Sequence, residues 1–240
     1  MADNAVPPVH ALVFDVFGTV VDWRSSLIAF FAAWGAQAGR AADWAGIADA
    51  WRGAYVPSLD RVRRGELPWT ILDDLHRASL DALLPDFGLG DVDEPTRQGF
   101  VRFWHRLHPW PEVVAAMRRL RGRYILGTLS NGNVGLLTRL AKAADLPFDV
   151  IMGGDLFGHY KPDPETYRGA ARLLNLAPGE VMLVAAHNGD LAAARAQGLA
   201  TGFVPRPTEY GPHQTKDIAP SEAWDVIARD FTALADQLGA

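Results

Sequence analysis

Ala11-Leu12-Val13-Phe14-Asp15-Val16-Phe17-Gly18-Thr19 is the stretch on which the fold turns. Four apolar residues run without interruption into a carboxylate, and a glycine and a threonine follow within four positions. The apolar run reads as a short strand. Asp15 falls at its carboxyl end, Gly18 permits a sharp turn, and Thr19 can bond back across that turn. Runs of the same kind lie at Ala11–Asp15, Tyr124–Ser130, Val150–Met152, Val181–Ala186 and Thr201–Val204, and helix-length segments follow most of them. This alternation predicts an α/β fold, a parallel sheet with helices on both faces. Asp163-Pro164-Glu165 places a cap, a first-turn proline and an acid in order before one helix. Asn188 can cap another that Gly198 closes.

The stretch from Asp22 to Pro109 has a different character. It reads as amphipathic helices rich in arginine and tryptophan, with landmarks at Trp23, Trp34, Trp44, Trp51, Trp69 and Trp104. Aromatic stripes of this kind are ordinarily packing between helices. The expected division is a core domain of residues 1–21 and 110–240 with an inserted helical cap of residues 22–109. The stretch Arg206–Pro220 reads as an ordered surface loop, followed by a last helix at Glu222–Leu238.

Composition narrows the function classes. With 240 residues, 49% of them hydrophobic, the chain can bury a full core and a smaller second unit. A net charge of −5 creates no field that gathers nucleic acid or an anionic membrane surface, so a bound anion needs a local cation. There is no cysteine, which removes disulfides, thiolate metal sites and thiol nucleophiles. The opening MADNAVPPVH lacks a cationic apolar signal segment, and no apolar run long enough to span a bilayer follows. The expectation is a cytoplasmic protein.

In open parallel sheets, ligands sit beyond the carboxyl ends of the strands. The first strand delivers Asp15, and the second delivers Ser130-Asn131-Gly132-Asn133. The third is followed by Asp155 and His159-Tyr160-Lys161-Pro162-Asp163, and the fourth by His187-Asn188-Gly189-Asp190. Singly, each residue has a plain structural reading: a strand end, a helix cap, a solvated lysine, a first-turn acid. Together they supply a carboxylate nucleophile, hydroxyls, an amide, an ammonium and a second carboxylate at one crevice.

Four motifs, Phe14-Asp15-Val16-Phe17-Gly18-Thr19-Val20, Leu129-Ser130-Asn131-Gly132, Tyr160-Lys161-Pro162-Asp163 and the stretch ending in Asp190, resemble those of the haloacid dehalogenase superfamily in order and spread. The resemblance covers nearly the whole chain and implies a Rossmann-like doubly wound core with a helical cap between the first two motifs. Most members are phosphatases with an aspartate two residues after the nucleophile. Here that position is Phe17, which can neither donate a proton nor help hold magnesium.

The pattern is similar instead to the L-specific 2-haloacid dehalogenases. That resemblance implies Asp15 as nucleophile, Thr19 and Ser130 at the loop and substrate carboxylate, and Asn131 with a cap arginine at the halide. Phe17 and Asn188 line the substrate site by the same analogy. Arg52, in Ala50-Trp51-Arg52, is the candidate arginine, with Arg61, Arg63 and Arg64 competing. Lys161 would steady Asp15, Tyr167 would orient it, and Asp190 would serve ester hydrolysis. The fourth motif departs from relatives: Ala185 stands where a serine is common and His187 where an asparagine is. His187 is read either as the base that activates water or as a donor orienting its neighbours. The implied reaction converts short 2-haloalkanoates to 2-hydroxy acids without metal or cofactor. Its partners are the small haloacid and halide ion, and a homodimer is left open. An atypical phosphatase, or a relative that only binds a metabolite, are the competing readings.

Overall fold

The computed structural model describes residues 8–240; the expectation about the opening segment falls largely on residues 1–7, which lie outside the described residues. Five strands form a wholly parallel sheet: β1 (Ala11–Phe14), β4 (Ile125–Thr128), β5 (Val181–Ala185), β6 (Ala200–Phe203) and β7 (Val226–Ile227), in the order β4-β1-β5-β6-β7. β1 lies between β4 and β5, with Phe14 opposite Thr128 and Val184, so their carboxyl ends finish side by side. β2 (Val21–Asp22) and β3 (His108–Pro109) form a small antiparallel ribbon.

Side chains of β1 alternate between two cores, as strand geometry requires. Leu12 and Phe14 face helices α6 (Val113–Arg121), α7 (Val134–Ala143) and α11 (Phe231–Gln237). Ala11 and Val13 face α9 (Pro164–Leu173) and α10 (Asn188–Ala196), while α8 (Gly154–Phe157) is a single turn before α9. Burying a Leu or Phe side chain fully contributes roughly 2 kcal/mol, so a sheet apolar on both faces cannot be left uncovered.

Between β2 and β3 stand five helices: α1 (Trp23–Ala38), α2 (Trp44–Gly53), α3 (Tyr55–Arg63), α4 (Leu72–Leu83) and α5 (Glu94–Phe103). Their interior is aromatic. Trp23, Trp51 and Trp104 are fully buried, Trp51 and Trp104 meet edge to face at 5.5 Å, and Trp34 packs on Phe100 at 4.9 Å. Trp69 is the exception at 39% exposed, leaning on Tyr160. No helix among the described residues is long and apolar enough to cross a membrane.

Three sequence expectations are corrected. Val150–Met152 forms isolated bridges beside β4 rather than a full strand; it runs alongside long enough for Thr128 N to bond Val150 O and Thr128 Oγ1 to bond Met152 O. The last helix spans only Phe231–Gln237, because Val226–Ile227 pairs with β6 as an edge strand and Asp230 caps the helix from its own side chain. The helix after β5 is capped at His187, one residue before Asn188.

Candidate active site

Asp15, the residue after β1, is 8% exposed. Thr19 folds back across the loop and donates from Oγ1 to Asp15 Oδ2 at 2.7 Å, while accepting from Ala186 N at 2.9 Å. Gly18 makes the turn possible with φ of 90°, and a Cβ there would lie 2.1 Å from Glu209 Oε1. Only glycine satisfies both the positive φ and that close approach. Lys161 Nζ donates to Asp15 Oδ1 at 2.9 Å and to Asp190 Oδ2 at 2.5 Å. Asn131 fixes the lysine's backbone by accepting from Lys161 N at 2.7 Å.

Burial by itself would raise the Asp15 carboxyl; the Lys161 ammonium and the His187 donor outweigh it and hold Asp15 well below the usual carboxylate range. Burial would lower Lys161, and its two carboxylate neighbours raise it instead. Asp15 is therefore an ionised, buried carboxylate at every ordinary pH, and Lys161 remains a cation beside it.

His187 lies between two carboxylates. Its Nδ1 is 3.1 Å from Asp15 Oδ2 and its Nε2 is 2.8 Å from Glu209 Oε2. Burial would lower its pKa, but Glu209 and Asp15 together raise it well above the ordinary histidine value. Both ring nitrogens therefore carry protons, and the resting imidazolium donates to both acids. Of the two sequence readings for His187, the donor describes this arrangement.

Glu209 is the residue that sequence reasoning missed. It is 1% exposed, it accepts from Trp23 Nε1 at 2.9 Å, and Arg52 Nη2 lies 4.0 Å away. The loop expected at the surface thus turns inward. Arg206, 6% exposed, pins it by donating from Nε to Thr19 O at 3.0 Å and from Nη1 to Glu112 at 2.7 Å. The available signal was His187 itself, since a buried imidazole needs a hydrogen-bond partner on each ring nitrogen.

Of the four candidate arginines, Arg52, on α2, is the one brought to this network. Its guanidinium sits 4.2 Å over the Tyr55 ring and 5.5 Å from the Trp23 ring, and its buried Nη1 has no hydrogen-bond partner among the described residues. The competitors lie elsewhere: Arg61 and Arg64 pair with Glu66, and Arg63 pairs with Asp60 and Asp163.

Two other assignments change. Tyr167 donates to Asp190 Oδ1 at 2.7 Å, not to Asp15. Asn188 faces away from the site: its Nδ2 bonds Asp217 and Ala219, and its Oδ1 accepts from Ser221 N and Trp224 Nε1, so no polar atom is left for substrate. Ser130, 3% exposed, accepts from Gly132 N at 3.2 Å and shapes its own loop. Phe17 is buried edge-on against Trp104 at 5.7 Å, which makes this side of the pocket apolar. Asp15, Asp190 and Glu209 each meet a cation of the chain, and Phe17 offers no oxygen, so the donor set does not fit magnesium.

Residues 9–198 match the haloacid dehalogenase-like hydrolase family. The chain belongs to that family. Its fold superposes on an L-2-haloacid dehalogenase of 53% identity with a TM-score of 0.94, covering 96% of this chain and 99% of that one. A defluorinating L-2-haloacid dehalogenase of 48% identity also superposes with a TM-score of 0.94, covering 97% and 96%. The (S)-2-haloacid dehalogenase 4A of Burkholderia cepacia is 28% identical over 96% of this chain and 100% of its own. Within the haloacid dehalogenase-like hydrolases, then, this member combines an aromatic residue at Phe17 with a His187–Glu209 pair behind the aspartate.

Proposed function

We infer that this chain hydrolyses short 2-haloalkanoic acids of the L (S) configuration to 2-hydroxy acids, with residues 22–109 acting as a cap over a core of residues 1–21 and 110–240. One observation carries the reading: a buried carboxylate held ionised beside an apolar wall, in one network with an arginine that keeps a buried N–H free. Such a pair suits a carbon centre that gains a carboxylate oxygen while losing an anion.

In the first step an Asp15 oxygen bonds to C2, and the carbon–halogen bond breaks with its electron pair leaving on the halide. Arg52 Nη1 and Asn131 receive the halide, and Phe17, Trp23 and Tyr55 keep water from competing. In the second step water attacks the carbonyl carbon of the Asp15 ester, and the hydroxy acid departs with the original Asp15 oxygen. Ester formation removes the Asp15 charge, one of two anions that hold the proton on His187. That proton is then released to solvent, and the neutral ring accepts one from the attacking water. The cycle consumes one water and yields hydroxy acid, halide and one proton. Asp190, held by Lys161 and Tyr167, keeps the ammonium in place through both steps. With no cysteine the chain needs no oxidising compartment, in keeping with a cytoplasmic site of action.

The direct test is halide release from fluoroacetate, chloroacetate and each enantiomer of 2-chloropropionate, with and without EDTA. The expected result is turnover of the (S) enantiomer over the (R), unchanged by EDTA. Phosphate release from phosphoglycolate with magnesium, in place of halide release, would contradict the reading.

The His187 pair gives a prediction with a definite sign. A raised folded pKa means the imidazolium, and the stability its two carboxylates confer, is complete below about pH 6.5 and lost as pH rises through the folded value. Glu209→Gln removes one of those anions, so the His187 proton is lost at lower pH. The midpoint of the His187 ring titration, followed by nuclear magnetic resonance, should therefore move acidward in the variant. A midpoint that does not move would show that His187 is not held by Glu209.

A further inference from the structure

A second feature lies on the far side of the Asn131-Gly132-Asn133 loop from Asp15. A groove of about 910 Å³ runs between the helical insertion and α7. One wall comes from α4, α5 and the short turn Trp104–Arg106, the other from Arg139, Lys142 and Ala143 of α7. Five cationic side chains line it against two acidic ones, Asp73 and Asp74, in a chain whose overall charge is −5.

Two facts make this more than a solvated surface. Elsewhere most arginines close on carboxylates, among them Arg24 on Asp49, Arg97 on Asp81, Arg118 on Asp145 and Arg195 on Glu222. In the groove only Arg77 does so, with Asp81 and Glu94. Arg102, Arg106, Arg139 and Lys142 have no ion-pair partner among the described residues. The one acid that reaches into the floor is already committed: Asp73 pairs with the buried His105 at 3.0 Å and accepts from Asn133 Nδ2 at 3.1 Å. It cannot neutralise the arginines without breaking that chain.

We propose that this groove is a second binding site, for a small multivalent anion of the phosphate-ester or polycarboxylate class. Its volume falls in the range of small-molecule pockets. A nucleic acid would need a broad basic face, which a chain of this charge lacks. Arginine forks match the planar oxygens of carboxylate and phosphate, and Asp74 offers an acceptor for a ligand hydroxyl. An anion held by Arg102 and Arg106 on one side and Arg139 and Lys142 on the other ties the insertion to α7 without touching Asp15.

The test is thermal unfolding of the full chain titrated with pyrophosphate and, separately, with citrate, each against sodium chloride at matched ionic strength. A saturable rise of about 3 °C or more with either probe is expected, and which probe acts separates phosphate from carboxylate recognition. The rise should vanish in the double variant Arg102→Ala/Arg139→Ala and persist in Arg102→Lys/Arg139→Lys. Arg102 and Arg139 are both exposed, so halide release should stay at the wild-type level. A response that follows ionic strength alone with both probes, or one that survives in the alanine variant, overturns the proposal.

Discussion

Asp15→Asn should release halide at least ~10⁴-fold more slowly than the native chain, with the fold retained by circular dichroism. The physical reason is specific to this site. The surroundings of Asp15 are built to keep a negative charge where burial opposes it: Lys161 at 2.9 Å, Thr19 at 2.7 Å and the His187 cation at 3.1 Å. An amide has nearly the same shape, so Thr19 and the apolar wall still fit it. It lacks the electron pair and the charge that displace a halide. It also leaves His187 with one anion in place of two, so the imidazole in the variant should titrate at lower pH than in the native chain. Nuclear magnetic resonance of the His187 ring protons reads that shift directly. Halide release at the native rate would remove Asp15 from the chemistry.

Arg52→Ala should lower kcat by about 10²–10³-fold and leave KM within a few-fold. The halogen is nearly neutral when bound and anionic when it departs, so a fixed cation in a dry aromatic pocket stabilises the transition state more than the bound substrate. Arg52→Lys should recover little, because an ammonium cannot both lie flat over Tyr55 and direct an N–H into the pocket. Arg61→Ala and Arg64→Ala should behave as the native chain, since both arginines sit on Glu66 at the surface. Steady-state halide release decides between them; damage at Arg61 or Arg64 with Arg52→Ala unaffected would move the halide site.

What could be read from the sequence follows the range of the interactions involved. β1, β4, β5 and β6 were legible because each is a local apolar run ending in a polar residue, and the parallel sheet follows from their alternation with helices. Asp15, Thr19, Lys161 and Asp190 were legible because each stands at a strand end or just beyond one. Val150–Met152 was overread as a full strand, since its apolar run shows nothing of how few hydrogen bonds its edge position permits. Val226–Ile227 was hidden inside a helical pattern by the pull of the Phe231–Gln237 periodicity. Tyr167 was expected to orient Asp15 and Asn188 to line the substrate site, but which partner a side chain takes is a tertiary choice. Tyr167 took Asp190, and Asn188 was drawn off by Asp217 and Trp224. Glu209 lies 22 residues from His187 in a proline-bearing loop. No local pattern marks it; its place beside His187 is set by the tertiary path of that loop.

The central claim is that Asp15, and not water, bonds to the substrate carbon. A single turnover in ¹⁸O water with enzyme in excess over (S)-2-chloropropionate tests it most directly. Attack by Asp15 places an unlabelled carboxylate oxygen in the hydroxy acid and solvent oxygen in the peptide that contains Asp15, with label reaching product only in later turnovers. Label in the product on the first turnover, with an unlabelled Asp15 peptide, would mean that the carboxylate activates water instead.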